Sequence, residues 1–213
     1  DSAWAIGSSY GSLDYVYDIH QLLEQAGVEQ AHVVGHSLGG MIACLYAGLF
    51  PENVLSLTSI EGVGAFWQEV LEKADPKTKI REWFNQTKTL AGKMPRRYES
   101  LDAAFDRMQA SNPHLSKERA KHLTIHGSYL NEDGSFTWKF DPYTYSWPPT
   151  GIAFDEIIKI WKQIKCPTIL LNAVDGLDHR TGQNDTLRYF GRAELVEIGN
   201  AGHWLHHDQF EIF

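Results

Sequence analysis

Gly35-His36-Ser37-Leu38-Gly39 is the segment that most restricts what this chain can become. It follows a short β-branched run, Ala31 to Val34, with the length of a buried strand. It precedes an apolar stretch with helical spacing, Met41 to Leu49, that stops before Pro51. The letters alone carry little, since a G-x-S-x-G pattern arises by chance in roughly one ordinary chain in ten of this size. Between a strand and a helix, however, they describe a sharp turn. The serine hydroxyl there stands exposed at the carboxyl end of a sheet, and glycines two residues to either side relieve crowding against neighbouring backbone. The helix behind it leaves the Leu38 N–H without an intrahelical partner, available to a developing oxyanion.

The surrounding pattern extends this unit into an α/β fold. Leu13, Val16, Ile19, Leu22, Leu23 and Ala26 predict a helix, with Ser12 at its start and Gly27 at its end. Val54 to Ile60 predicts a second strand, completing a strand–helix–strand crossover of a parallel sheet. From Phe66 to about His126 the spacing is helical, with Ser100 and Ser116 placed as caps. Asp133-Gly134 marks a small hairpin, and Asp141 to Pro149 is a proline- and aromatic-rich loop. Alternation then resumes: helix Phe154 to Ile164, strand Thr168 to Asn172, helix near Asn184 to Tyr189, strand Glu194 to Ile198. The predicted division is core 1–64, helical insertion 65–150 and core 151–213.

Composition excludes several classes. With 43% hydrophobic and 22% charged residues over 213 positions, the chain reads as one globular domain with an insertion. Nineteen basic against 27 acidic residues, a net charge of −8, argue against a nucleic-acid binder. No apolar run approaches the ~18 residues of a membrane span. Cys44 and Cys166 lie in apolar runs, which predicts buried reduced thiols and a reducing, cytoplasmic setting.

A serine hydroxyl is a weak nucleophile until a base takes its proton. Of the ten histidines, His203 lies just past the last predicted strand, where a loop ends at the same sheet edge as the Ser37 turn. His32 is inside a strand, His36 adjoins the serine with its side chain turned away, and His114, His122 and His126 fall in the insertion. His206 and His207 follow at helical spacing but lack a carboxylate or thiolate to complete a metal set, so they read as exposed polar residues at a helix start. The third member must be a carboxylate at a strand end. Glu61 ends the second predicted strand and Asp175 the third, with Asp178 close behind, and both stay open. No metal or cofactor is expected. The expected partner is a small-molecule substrate, and the oligomeric state is not fixed by the sequence.

With these residues in place, the sequence resembles the α/β-hydrolase superfamily over essentially its whole length. Within it, the chain looks like the serine hydrolase-like protein family, on Arg97-Tyr98-Glu99-Ser100, Asn112-Pro113-His114-Leu115-Ser116 and Phe140-Asp141-Pro142 of the insertion. The resemblance implies Ser37 as nucleophile, His203 as base and the Leu38 N–H as one oxyanion donor, with the insertion a cap over the active site. It implies a cofactor-free serine hydrolase that cleaves an ester-like or other acyl bond through an acyl-enzyme. The alternative is a non-catalytic small-ligand-binding protein on the same scaffold. An aromatic content of 12%, including Phe66, Trp67, Trp83, Phe84, Trp138 and Trp147, suggests an apolar substrate, with core packing the alternative explanation.

Two departures from the superfamily pattern bear on the site. Counting from Pro167, the usual glycine position holds Ala173 and the usual aspartate position holds Gly176. That run looks like haloalkane dehalogenases whose acid sits one strand earlier, which favours Glu61 over Asp175. The family's opening strands and the His-Gly segment that supplies a second oxyanion donor have no counterpart here. The sequence therefore reads as part of a longer gene product, a feeble catalyst by itself. Its Val33-Val34 strand would be a bare sheet edge that invites association.

Overall fold

The structure, a computed structural model, describes residues 3–4, 10–91, 95–146 and 148–213, without the side chains of residues 66–68 and 71. Trp147 and the side chains of Phe66 and Trp67 thus lie outside the described residues. The chain divides into two compact units, one of Asp1–Tyr10 and Pro76–Pro149, the other of Gly11–Asp75 and Thr150–Phe213. The sheet-bearing unit runs from Gly11 to Asp75 before the chain passes to the other unit at Pro76, against an expected first core segment of 1–64. The helix that follows the second strand packs within the sheet-bearing unit, against the helix of residues 154–161.

The sheet-bearing unit opens with α1 (Ser12–Gln25), capped by Gly11 rather than by Ser12, whose place is inside the helix. β1 (Ala31–His36) leads through a single residue, Ser37, into α2 (Leu38–Leu49). β2 (Val54–Ile60) and α3 (Phe66–Lys73) follow. The other unit supplies α4 (Pro76–Ala91), α5 (Leu101–Ser111) and α6 (Lys117–Gly127). Ser100 and Ser116 cap the last two, accepting from the N–H groups of Ala103 and Arg119 at 3.1 and 3.3 Å. β3 (Ser128–Leu130) and β4 (Phe136–Trp138) form the antiparallel hairpin around Asp133-Gly134. A 3₁₀ turn, Pro142–Tyr145, is started by Asp141, whose carboxylate accepts from the Tyr143 N–H at 2.9 Å and the Tyr10 hydroxyl at 2.7 Å.

The chain then returns to the sheet-bearing unit with α7 (Phe154–Trp161), β5 (Thr168–Ala173), β6 (Ala193–Ile198) and α8 (Leu205–Asp208). Asn184 and Asp185 take left-handed φ of 51° and 63°, so the helix expected there shrinks to a 3₁₀ turn at Thr186–Tyr189. The last residues form turns from Gln209 onward. Strand order is β1-β2-β5-β6, all parallel, with β1 at an edge. Leu57, Ser59, Leu170 and Asn172 on one face are buried, and α2 packs on β1 and β2 with α7 against it. Ile60, Ala173 and Ile198, the last residues of β2, β5 and β6, pack with Ala201 and Leu205 into one apolar cluster. That cluster fixes the loop after β6 to the carboxyl ends of its neighbours. Cys44 and Cys166 are buried free thiols, and burial pushes Cys44 up to about 12. No helix among the described residues is long and apolar enough to cross a membrane.

Candidate active site

Ser37 sits at φ 59°, ψ −120°, a left-handed conformation that a residue with a side chain adopts only under constraint. The constraint is the close passage of β1 into α2. The Ser37 N–H donates to the Ile60 carbonyl at 2.9 Å, and its own carbonyl accepts from Gly40 and Val63 at 3.0 and 3.2 Å. A Cβ on Gly35 would lie 2.1 Å from the Gly39 carbonyl oxygen, so the strand residue just before His36 must be bare. The second required glycine is Gly40 rather than Gly39. A Cβ on Gly40 would come within 2.7 Å of Ser59 Oγ and 2.8 Å of Gly62 Cα, whereas one on Gly39 meets nothing within 4 Å. Leu38 is the first residue of α2, where a backbone N–H has no helical partner.

His203 arrives from the loop after β6. Its Nε2 is 2.8 Å from Ser37 Oγ, and its Nδ1 is 3.3 Å from Glu61 Oε2. Three strand ends thereby converge from positions 37, 61 and 203. Glu61 follows β2 at φ 48° and is fully buried. Its Oε1 accepts from the Ala173 N–H at 2.5 Å and Arg180 Nη1 at 2.9 Å, and its Oε2 accepts from the Leu177 N–H at 3.2 Å. Burial alone would push this carboxyl up, yet the bonds from His203, Ala173, Arg180 and Leu177 together hold it below the usual carboxylate range. Asp175, the other candidate acid, lies exposed on the loop after β5, its backbone N–H bonded to the Ala201 carbonyl at 3.1 Å.

Two features were not foreseen. His36 does not simply turn away: its Nε2 is 2.7 Å from the His203 carbonyl oxygen, and its ring lies 4.7 Å from those of His203 and His206. Burial, countered by that bond, keeps His36 below its ordinary value. His206 and His207 are half-buried rather than exposed, and burial with the neighbouring imidazoles lowers His206 to about 4. Arg180, buried against Glu61, is the other addition. It sits in a connection without periodicity, where no sequence signal marks it. Among the described residues, no group of three or more His, Cys, Asp or Glu is placed to hold a metal ion.

The sequence profile of the alpha/beta hydrolase fold matches residues 1–210. The chain belongs to the alpha/beta hydrolase fold family. As such a hydrolase-fold chain it is similar to a serine hydrolase-like protein of Danio rerio, 28% identical over 174 residues, covering 80% of this chain and 52% of the relative. It is also similar to an sn-1-specific diacylglycerol lipase of Mus musculus, 25% identical over 221 residues, covering 100% of this chain and 65% of that one. Among solved structures, a hypothetical protein of Pseudomonas aeruginosa PAO1 superposes with a TM-score of 0.81 at 26% identity, covering 98% of this chain and 72% of that chain. This alpha/beta hydrolase fold chain thus spans about half the length of the Danio rerio relative.

Proposed function

We propose that this chain carries the reacting groups of a cofactor-free serine hydrolase, with Ser37 as nucleophile, His203 as base and Glu61 as the acid that orients it. One observation carries the reading: a single imidazole lies 2.8 Å from the Ser37 hydroxyl through Nε2 and 3.3 Å from a buried carboxylate through Nδ1. With the Nδ1–H donating to Glu61, the Nε2 lone pair is left to accept the serine proton. Ser37 Oγ then attacks an acyl carbonyl as its proton passes to Nε2. The tetrahedral oxyanion takes the Leu38 N–H, and the imidazolium returns the proton to the leaving group as the C–X bond breaks. Water, deprotonated by the same imidazole, releases the acid and frees Ser37. Similarity to a diacylglycerol lipase supports an acyl substrate of the ester class.

A fluorophosphonate probe tests the reading directly. The folded protein is expected to be labelled on the peptide containing Ser37. Labelling should vanish in Ser37→Ala and fall steeply in His203→Ala. A folded protein that takes no label overturns the proposal and favours a ligand-binding protein on this scaffold.

A further inference from the structure

Arg180 has no part in the reaction just described, yet it is one of the few buried charges of the fold. Its side chain is 7% exposed and the Glu61 side chain it meets is 0% exposed. Such a pair needs hydrogen bonds to offset the cost of removing two charges from water. The guanidinium makes three. Arg180 Nη1 donates to Glu61 Oε1 and to the Ala173 carbonyl, and Nε donates to Gln183 Oε1 at 3.2 Å. The two carboxylate oxygens have separate duties. Oε1 is held by Arg180 and the Ala173 N–H, while Oε2 meets His203 and the Leu177 N–H.

We propose that Arg180 is a positioning residue for catalysis: it clamps the Oε1 side of Glu61 so that Oε2 is presented to His203 in one orientation. The proposal rests on the triad reading above. The clamp acts on a carboxylate that has no freedom to recede. Gly176 approaches so closely that a Cβ there would lie 2.3 Å from Glu61 Oε2. Arg180 also carries a fixed positive charge on the far oxygen of the carboxylate that faces the imidazole. That charge offsets part of the carboxylate's negative charge where it faces the imidazole. The other groups around His203 are Ser37 from the β1–α2 turn, His36 at the end of β1, and His206, His207 and Asp208 from α8.

The test measures fluorophosphonate labelling from pH 5 to 9 for the wild type, Arg180→Lys and Arg180→Met. The maximal labelling rate is separated from the probe concentration at half-maximum. In Arg180→Met the maximal rate is expected to fall at least tenfold at unchanged half-maximal concentration. The acid limb of its pH profile is expected to move to higher pH, because a cation opposing imidazole protonation has gone. Arg180→Lys keeps the charge but cannot reach Glu61 and the Ala173 carbonyl with the same geometry, so its rate falls less and its acid limb stays near the wild type. A residue that merely held the loop in place would slow labelling without moving the profile. A folded Arg180→Met with wild-type rate and profile overturns the proposal. Should Arg180→Met not fold, Arg180→Gln, which also lacks the cation, takes its place: a slower maximal rate with the acid limb at higher pH supports the clamp, and wild-type behaviour or a slower rate with an unmoved profile overturns it. If the wild type itself is not labelled at Ser37, the triad reading fails instead, and the two failures are distinct.

Discussion

The imidazole of His36 donates its Nε2–H to the backbone carbonyl of His203 at 2.7 Å, so the residue beside the candidate nucleophile also anchors the loop that carries the candidate base. The contact joins positions 167 apart in sequence at the point where both must be held still. A hydrogen bond of this kind contributes about 1 kcal/mol, or roughly fivefold in rate if it is felt only in the reacting geometry. His36→Leu should therefore lower the maximal fluorophosphonate labelling rate by roughly five- to tenfold. His36→Gln, whose amide reaches the same place, should restore most of it. Equal rates in all three proteins would contradict the anchoring role.

The two strand-end carboxylates make opposite predictions. An amide in place of the triad acid leaves the imidazole in the wrong tautomer and costs ~10⁴ in turnover in serine proteases. Glu61→Gln is expected to lose ~10³–10⁴ in the hydrolysis of a 4-nitrophenyl ester, and Asp175→Asn less than about twofold, as for surface changes generally. The reverse ranking would move the acid to the loop after β5.

Gly176→Ala probes the packing around Glu61 without altering any charge. The added methyl would stand 2.3 Å from Oε2 and 2.6 Å from Cδ, so the carboxylate must shift away from it. Displacement by even a fraction of an ångström disturbs the bond to His203, and misplacement of about 1 Å costs ~10²-fold in oriented reactions. Esterase activity should fall by one to two orders of magnitude on that basis, roughly, while circular dichroism stays native. Gly39→Ala, whose methyl meets nothing within 4 Å, is the matched control and should be near wild type.

Acid should loosen the loop after β6 before it reaches the carboxylates. His206 binds its proton only at about 4 in the fold, against about 6.5 in the unfolded chain. The unfolded state therefore carries more protons between those values, and stability is full above the upper one and lost as pH falls through the window. Glu61 acts in the same direction at lower pH: held down in the fold, it adds stability above its unfolded value that is lost as pH falls through its folded one. His206→Gln should shift the acid-unfolding midpoint, followed by circular dichroism, to lower pH. An unchanged or higher midpoint would contradict this assignment.

The strand–turn–helix around Ser37 was legible because glycine placement and apolar periodicity agree with each other locally. His203 was legible by its place after the last strand. The local pattern could not separate Glu61 from Asp175, which end adjacent strands alike; the resemblance alone favoured Glu61, the one that lies 3.3 Å from the imidazole. Long-range contacts outside the serine and histidine motifs left no trace. Arg180 meets Glu61 across 119 positions. The need for a bare residue at Gly40 comes from Gly62 and Ser59 rather than from its own turn. His206 and His207 read as solvated because their burial depends on His36 and Trp204, elements the linear pattern does not bring together.

From Ala173 to Leu177 the chain serves Glu61 through two main-chain amides, those of Ala173 and Leu177, and through no side chain. Val174, Asp175 and Leu177 meanwhile point their side chains outward. Their chemistry can be exchanged without removing a single donor from the carboxylate. A cysteine introduced at Val174 for an environment-sensitive dye would accordingly leave both amides that hold Glu61 in place, an optical label where the main chain and not the side chain supports the carboxylate.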